Sequence, residues 1–136
     1  MKVGKPRVIL KYLRSDLSRI KQSNDSGATK GALIAAAVKS FKSQHYIKWL
    51  KRLEAAEGLD MTPRLARKLC GGLFDRKPST NELQAVWQTA NRQNVAHSAD
   101  FARVDELVER HRAEAEEFKR EIEERAVVIR HEQLKP

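Results

Sequence analysis

Between Phe101 and Ile129 the chain places Phe101, Val104, Val108, His111, Ala115, Phe118, Ile122, Arg125 and Ile129 at alternating steps of three and four, and seven of these nine are apolar. No other pattern in the chain constrains its fold so tightly. Four heptads of this kind commit the segment to one long helix whose apolar stripe must be covered by something. Glu106/Arg110, Glu116/Arg120 and Glu121/Arg125 stand four apart in the favourable order, each pair contributing about 0.3 kcal/mol on an exposed helix. At 1.5 Å per residue such a helix projects about 50 Å. A second copy can cover the stripe as a coiled coil, with Phe101, Val104, Val108, His111, Phe118, Ile122 and Ile129 as oligomerisation contacts and His111 setting the register. The helix can equally fold back as the last member of a bundle, because the same stripe fits both.

The rest of the chain also reads as helix. At 136 residues it can bury a core without a disulfide or metal staple, and 6% aromatic residues with six Gly favour helices over a strand-rich sandwich. Ile9, Tyr12, Leu13, Leu17 and Ile20 share one helical face from Val8 to about Gln22. Residues 23–27, Ser-Asn-Asp-Ser-Gly, form a loop. Thr29 is then the expected cap of a helix with Leu33, Ala36, Ala37 and Phe41 inside, which either breaks near Ser43 or runs on through the Tyr46, Ile47, Leu50 and Leu53 face to Gly58. Thr62-Pro63 opens a short helix carrying Leu65, Leu69 and Leu73, interrupted by Gly71-Gly72. Ser79 to Glu82 matches a capping box, followed by Leu83, Val86, Trp87 and Ala90 inside, and residues 91–98 read as a linker. The expected fold class is all-α: a multi-helix bundle with a long C-terminal helix. Its three parts are a basic region 1–57, a helical middle 58–98 of the same core, and a long acidic helix 99–136.

Charge is distributed unevenly along these parts. Residues 1–53 hold 13 Lys/Arg against only Asp16 and Asp25, whereas residues 99–136 carry eleven acids and eight bases. Such an imbalance concerns partners more than fold, and the usual partner is a polyanion. Solvated helix faces normally mix both signs, and here acids are almost missing. The candidate nucleic-acid contacts are Lys5, Arg7, Lys11, Arg14, Lys21, Lys30, Lys39, Lys42, Lys48, Lys51 and Arg52. Tyr46 and Trp49 lie among these basic residues, where they can stack on unpaired bases of a single strand or sit in the core. Arg64, Arg67 and Lys68 are further candidates for phosphate contact.

The segment Gly27-Ala28-Thr29-Lys30-Gly31-Ala32-Leu33-Ile34-Ala35-Ala36-Ala37-Val38-Lys39-Ser40-Phe41 resembles the second helix of ribbon-helix-helix DNA-binding proteins, the Arc and MetJ class. The resemblance covers residues 6–43. It implies that Arg7-Val8-Ile9-Leu10-Lys11-Tyr12 is a short strand, with Val8, Leu10 and Tyr12 inward and Arg7, Ile9 and Lys11 outward. Two such strands would form an intersubunit ribbon in the major groove, with Arg7 and Lys11 as base readers. The competing reading makes Val8 to Ile20 one helix, which leaves backbone or shape recognition, RNA included. Plasmid mobilisation accessory proteins and phage or plasmid repressors attach helical extensions to ribbon domains, which would suit the C-terminal helix.

Nothing in the sequence names a reaction. His45, His97, His111 and His131 show no metal-ligand spacing with Cys70, and there is no phosphate loop or nucleophile elbow. No enzyme activity, cofactor or metal is expected. Cys70 reads as a small buried hydrophobe. The sole cysteine, the lack of a secretory signal and the short longest apolar run, Ala32 to Val38, point to a cytoplasmic protein without a membrane span. The expectation is a non-enzymatic nucleic-acid-binding homo-oligomer, DNA favoured over RNA, of the plasmid or phage regulator or relaxosome accessory kind. The alternative is a helical adaptor subunit of a protein or ribonucleoprotein assembly, docking a protein partner through its C-terminal helix.

Overall fold

The computed structural model describes residues 10–24, 26–87 and 100–134, apart from the side chains of 129, 130 and 132–134. Helices α1 (Lys11–Gln22), α2 (Gly27–Glu57), α3 (Pro63–Phe74), α4 (Thr80–Val86) and α5 (Val104–Leu134) follow in order. Among the described residues there is no strand, and the all-α class with a long C-terminal helix holds.

The helix ends follow local chemistry. Ser23 closes α1 by donating its N–H and hydroxyl to the Ile20 carbonyl at 3.2 and 2.9 Å. The cap of α2 is Ser26, whose Oγ accepts from the Thr29 N–H at 3.3 Å, so Thr29 lies inside the helix instead of capping it. Helix α2 does not break at Ser43: it continues for 31 residues and ends at Gly58, with φ of 62°. That left-handed position suits glycine, and the Leu59 N–H returns to the Glu54 carbonyl at 3.0 Å. Thr62 caps α3 with Pro63 in the first turn, and the Ser79/Glu82 capping box opens α4.

Which faces are buried departs from the sequence pattern at several places. In α1 the inner stripe is Leu13, Leu17 and Ile20, with Leu10 packed beside it. Tyr12 is 67% exposed, because it falls about a third of a turn from that stripe. In the first half of α2, Ile34, Ala37, Val38 and Phe41 face the core, while Leu33 and Ala36 face solvent. Runs of alanine give little contrast between faces, so packing against neighbouring helices decides which side turns inward. Helix α3 passes through Gly71-Gly72 without interruption to Phe74, because a Cβ at Gly72 would sit 2.8 Å from Val108 Cγ2 and only glycine admits α5 that closely. Val86 is exposed, and Ala90 lies outside the described residues.

Helices α2 and α5 run antiparallel. Glu57 at the end of α2 binds Arg103, Arg110 and His111 near the start of α5, while Lys42 in mid-α2 binds Glu123 further along. The C-terminal helix packs on α1, α2 and α3 of its own chain. Its stripe Val104, Leu107, Val108, His111, Ala115, Phe118, Ile122 and Ala126 is buried. The expected oligomerisation contacts Val104, Val108, His111, Phe118 and Ile122 are thus covered within one chain, with Phe101 partly buried on the same core; Ile129 lies outside the described side chains. Arg125 is exposed where Ala126 turns inward. A straight helix drifts about 20° per heptad from a 3.5-residue repeat, so after three heptads the inward position moves on by one residue.

An aromatic cluster joins these helices. Tyr46 stacks on Phe74 with centroids 4.4 Å apart, and Trp49 meets Phe74 and His111 edge-on at 5.3 and 6.1 Å. Tyr46 and Trp49 are 0% and 1% exposed, so neither offers a surface for stacking bases.

Candidate nucleic-acid interface

The buried side of α2 and the turn after α3 together make a cationic cleft. Tyr46 points the α2 register inward through its stack on Phe74, which brings Lys39 and Lys42, one or two turns earlier, to the rim. Asp75, left-handed with φ of 54°, ends α3 and reverses the chain so that Arg76 and Lys77 lie against α2. The resulting cleft of about 260 Å³ is lined by Ala35, Val38, Lys39, Lys42, Ser43, Tyr46, Arg76 and Lys77. Among the described residues, four cations and no carboxylate line it.

Glu123 of α5 is the counter-charge at its edge. Its carboxylate accepts from Lys42 Nζ at 2.7 Å and from Arg76 Nη2 at 3.3 Å. Burial raises the affinity of this carboxyl for its proton, but Lys42 and Arg76 outweigh burial and hold Glu123 below the usual carboxylate range. The Tyr46 hydroxyl is buried on the α2 side of the cleft and makes no hydrogen bond of normal geometry; the Arg76 side chain is the group near enough to engage it, and Arg76 and Glu123 both act on it electrostatically. Burial pushes it up to about 12, with Glu123 adding to the rise and Arg76 opposing it.

A second basic cleft of about 320 Å³ adjoins the first. It is lined by Arg64, Arg67, Lys68, Gly71, Lys77 and Phe101, again without a carboxylate. Lys77 belongs to both clefts and joins them into one surface. Arg64 and Lys68 each stand 5.5 Å from the centre of the Phe101 ring, which fixes their charges over its face.

The structure divides the basic residues expected from sequence. Lys39 and Lys42 enter the cleft. Lys48 lies nine residues beyond Lys39, about two and a half turns, and therefore on the other side of α2. There it is exposed with Lys51 and Arg52, and Lys51 is engaged by Glu54 at 3.5 Å and by the Trp87 ring at 5.5 Å. Lys11, Arg14 and Lys21 are exposed on α1, while Lys30 donates to the Lys21 carbonyl at 3.3 Å. Lys5 and Arg7 lie outside the described residues, as do the remaining positions of the expected ribbon before Leu10; Lys11 and Tyr12 are helical. Arg76 and Lys77, which in the sequence look like part of a polar connection, supply half of the cations of the first cleft. The second cleft does have a sequence signal: residues 61–74 carry Arg64, Arg67 and Lys68 without a single acid.

Elsewhere the charged groups serve the fold. The Glu57 carboxylate, 6% exposed, accepts from Arg103, Arg110 and His111 at 3.2, 2.7 and 2.9 Å. Burial raises its proton affinity, yet His111 and Arg110 hold it below the usual range. Burial also pushes the Cys70 thiol up to about 12, away from reactivity. Among the described residues no cluster of His, Cys, Asp and Glu suits a metal ion, and no helix is long and apolar enough to cross a membrane.

Comparison with protein-family models, curated proteins and solved structures returns no match.

Proposed function

We propose that this chain is a non-enzymatic nucleic-acid-binding protein that holds the phosphate backbone along the joined clefts of α2, α3 and the α3–α4 turn. The observation that carries this reading is the run of Lys39, Lys42, Arg76, Lys77, Lys68, Arg67 and Arg64 lining two adjoining concave surfaces, with Glu123 at the edge of the first as counter-charge to Lys42 and Arg76. Cations gathered in concavities attract a polyanion more strongly than the same charges scattered on convex faces. With helical backbone at Lys11 and Tyr12, recognition rests on phosphates and shape, and duplex DNA and RNA are both within its reach.

Backbone binding releases counterions, so affinity should fall steeply with salt, the slope shrinking by about one for each phosphate contact removed. Binding of duplex DNA, single-stranded DNA and RNA measured at rising salt tests this. Substituting Arg64, Arg67 and Lys68 by Gln should flatten the slope by about three, whereas Lys48→Gln should leave it unchanged. Absence of binding to all three polymers at low salt would overturn the reading. A second reading, an adaptor docking a protein through α5, draws on Val127 and Val128, exposed at 59% and 54% near the end of that helix. Retained nucleic-acid affinity in a Val127→Ser, Val128→Ser chain would separate the two.

A further inference from the structure

The cleft between α2 and the α3–α4 turn has features that backbone attraction alone does not require. Two of its cations, Lys42 and Arg76, share the single carboxylate of Glu123, so the group is positive before Lys39 and Lys77 are counted. Lys42 is withdrawn from water, its side chain 16% exposed, and it relies on the Glu123 carboxylate that it shares with Arg76. Beside it the Tyr46 hydroxyl is fully buried and makes no hydrogen bond of normal geometry. Native proteins leave few buried polar groups unpaired, and each has a reason.

We infer that this cleft is a pocket for a phosphate monoester, with Lys39, Lys42, Arg76 and Lys77 supplying charge and the Tyr46 hydroxyl supplying a neutral donor. Its volume of about 260 Å³ accommodates a phosphate entering end-on. A dianion also draws more from four cations than a singly charged diester does. The Tyr46 hydroxyl keeps its proton throughout the physiological range and can therefore only donate or accept as a neutral group. Glu123 occupies Lys42 and Arg76 in the empty pocket, so the incoming phosphate displaces a carboxylate from them.

Two sources present the same chemistry: the terminal phosphate of a nucleic-acid strand and a free phosphorylated small molecule. For the first source the inference rests on the nucleic-acid reading above; for the second it does not.

Titration calorimetry on the full chain would compare inorganic phosphate, a nucleoside 5′-monophosphate, and a short single-stranded oligonucleotide with and without a 5′-phosphate. The phosphorylated oligonucleotide should bind about tenfold tighter than its 5′-hydroxyl counterpart, the effect of one charge-assisted group. Tyr46→Phe should reduce that preference about fivefold while changing the melting temperature little, since the hydroxyl it removes makes no hydrogen bond of normal geometry. Glu123→Gln should tighten phosphate binding severalfold by removing the internal competitor, and Lys48→Gln on the far side of α2 should change nothing. Phosphate and monophosphate binding that Tyr46→Phe weakens, without any oligonucleotide binding, would support the pocket and overturn the nucleic-acid reading. Equal affinity for the two oligonucleotides, indifferent to Tyr46→Phe, would overturn the pocket and leave backbone binding standing.

Discussion

Glu57 is the residue on which most polar contacts between α2 and α5 converge. Removing its carboxylate leaves His111 Nε2 buried without its partner and frees Arg103 from one of its ties. Glu57→Ala should cost about 2–3 kcal/mol, read as a fall in melting temperature of about 8 °C for a chain of this length. Both Glu57 and Glu123 are held below their ordinary value of 4.5 in the folded state. Their contribution is complete above that value and is lost as pH drops through the lower folded values. Thermal melts from pH 7 to pH 3 should stay level at first and then fall below about 4.5, and Glu57→Ala should show a shallower acid fall. None of this hub is visible along the sequence. The inner stripe of its helix includes His111, but the partner of that histidine is 54 residues away, a separation that periodicity does not report.

At the scale of helices, legibility follows how much local chemistry each boundary carries. The Thr62-Pro63 start, the Ser79/Glu82 box and the Gly58 end each rest on neighbouring residues, and each can be read from the amino-acid sequence alone. Helix α2 is less legible where alanines from Ala32 to Ala37 blur its inner face, and its cap is Ser26 instead of Thr29 because both residues are chemically suitable. Gly71-Gly72 misleads for a related reason. Glycine lowers helix propensity, yet here it is kept for the approach of α5. Gly72→Ala should therefore destabilise by about 1–3 kcal/mol despite raising propensity, because Val108 is β-branched and has little freedom to withdraw. Pairing it with Val108→Ala should restore part of the loss, whereas additive losses in denaturant melts would contradict this account.

For the molecule as a whole, the sequence conveys the class and the charge imbalance but not where the charges meet. Lys39 and Lys42 stand in the basic N-terminal half, while Arg76 and Lys77 come from the middle, and only the reversal at Asp75 joins them. The fate of the C-terminal stripe is likewise open in the sequence, since a seam looks the same whether it meets a partner or its own chain. Its residues Val104, Leu107, Phe118 and Ile122 are part of the common core. Ending the chain after Ser98 should then abolish cooperative unfolding, followed by circular dichroism, instead of converting an oligomer to a folded monomer. A truncated chain that still melts sharply would contradict this.

The antiparallel pairing of α2 with α5 also sets an order of events during synthesis. Lys42 meets a partner 81 residues downstream, and the inner faces of α1, α2 and α3 wait for a helix that is translated after them. At ribosomal speeds of about 5–20 residues per second, α5 trails the end of α3 by several seconds. Throughout that interval the nascent chain presents Tyr46, Trp49 and Phe74 without their full cover, which makes this stage the point of greatest exposure to chaperones and proteases.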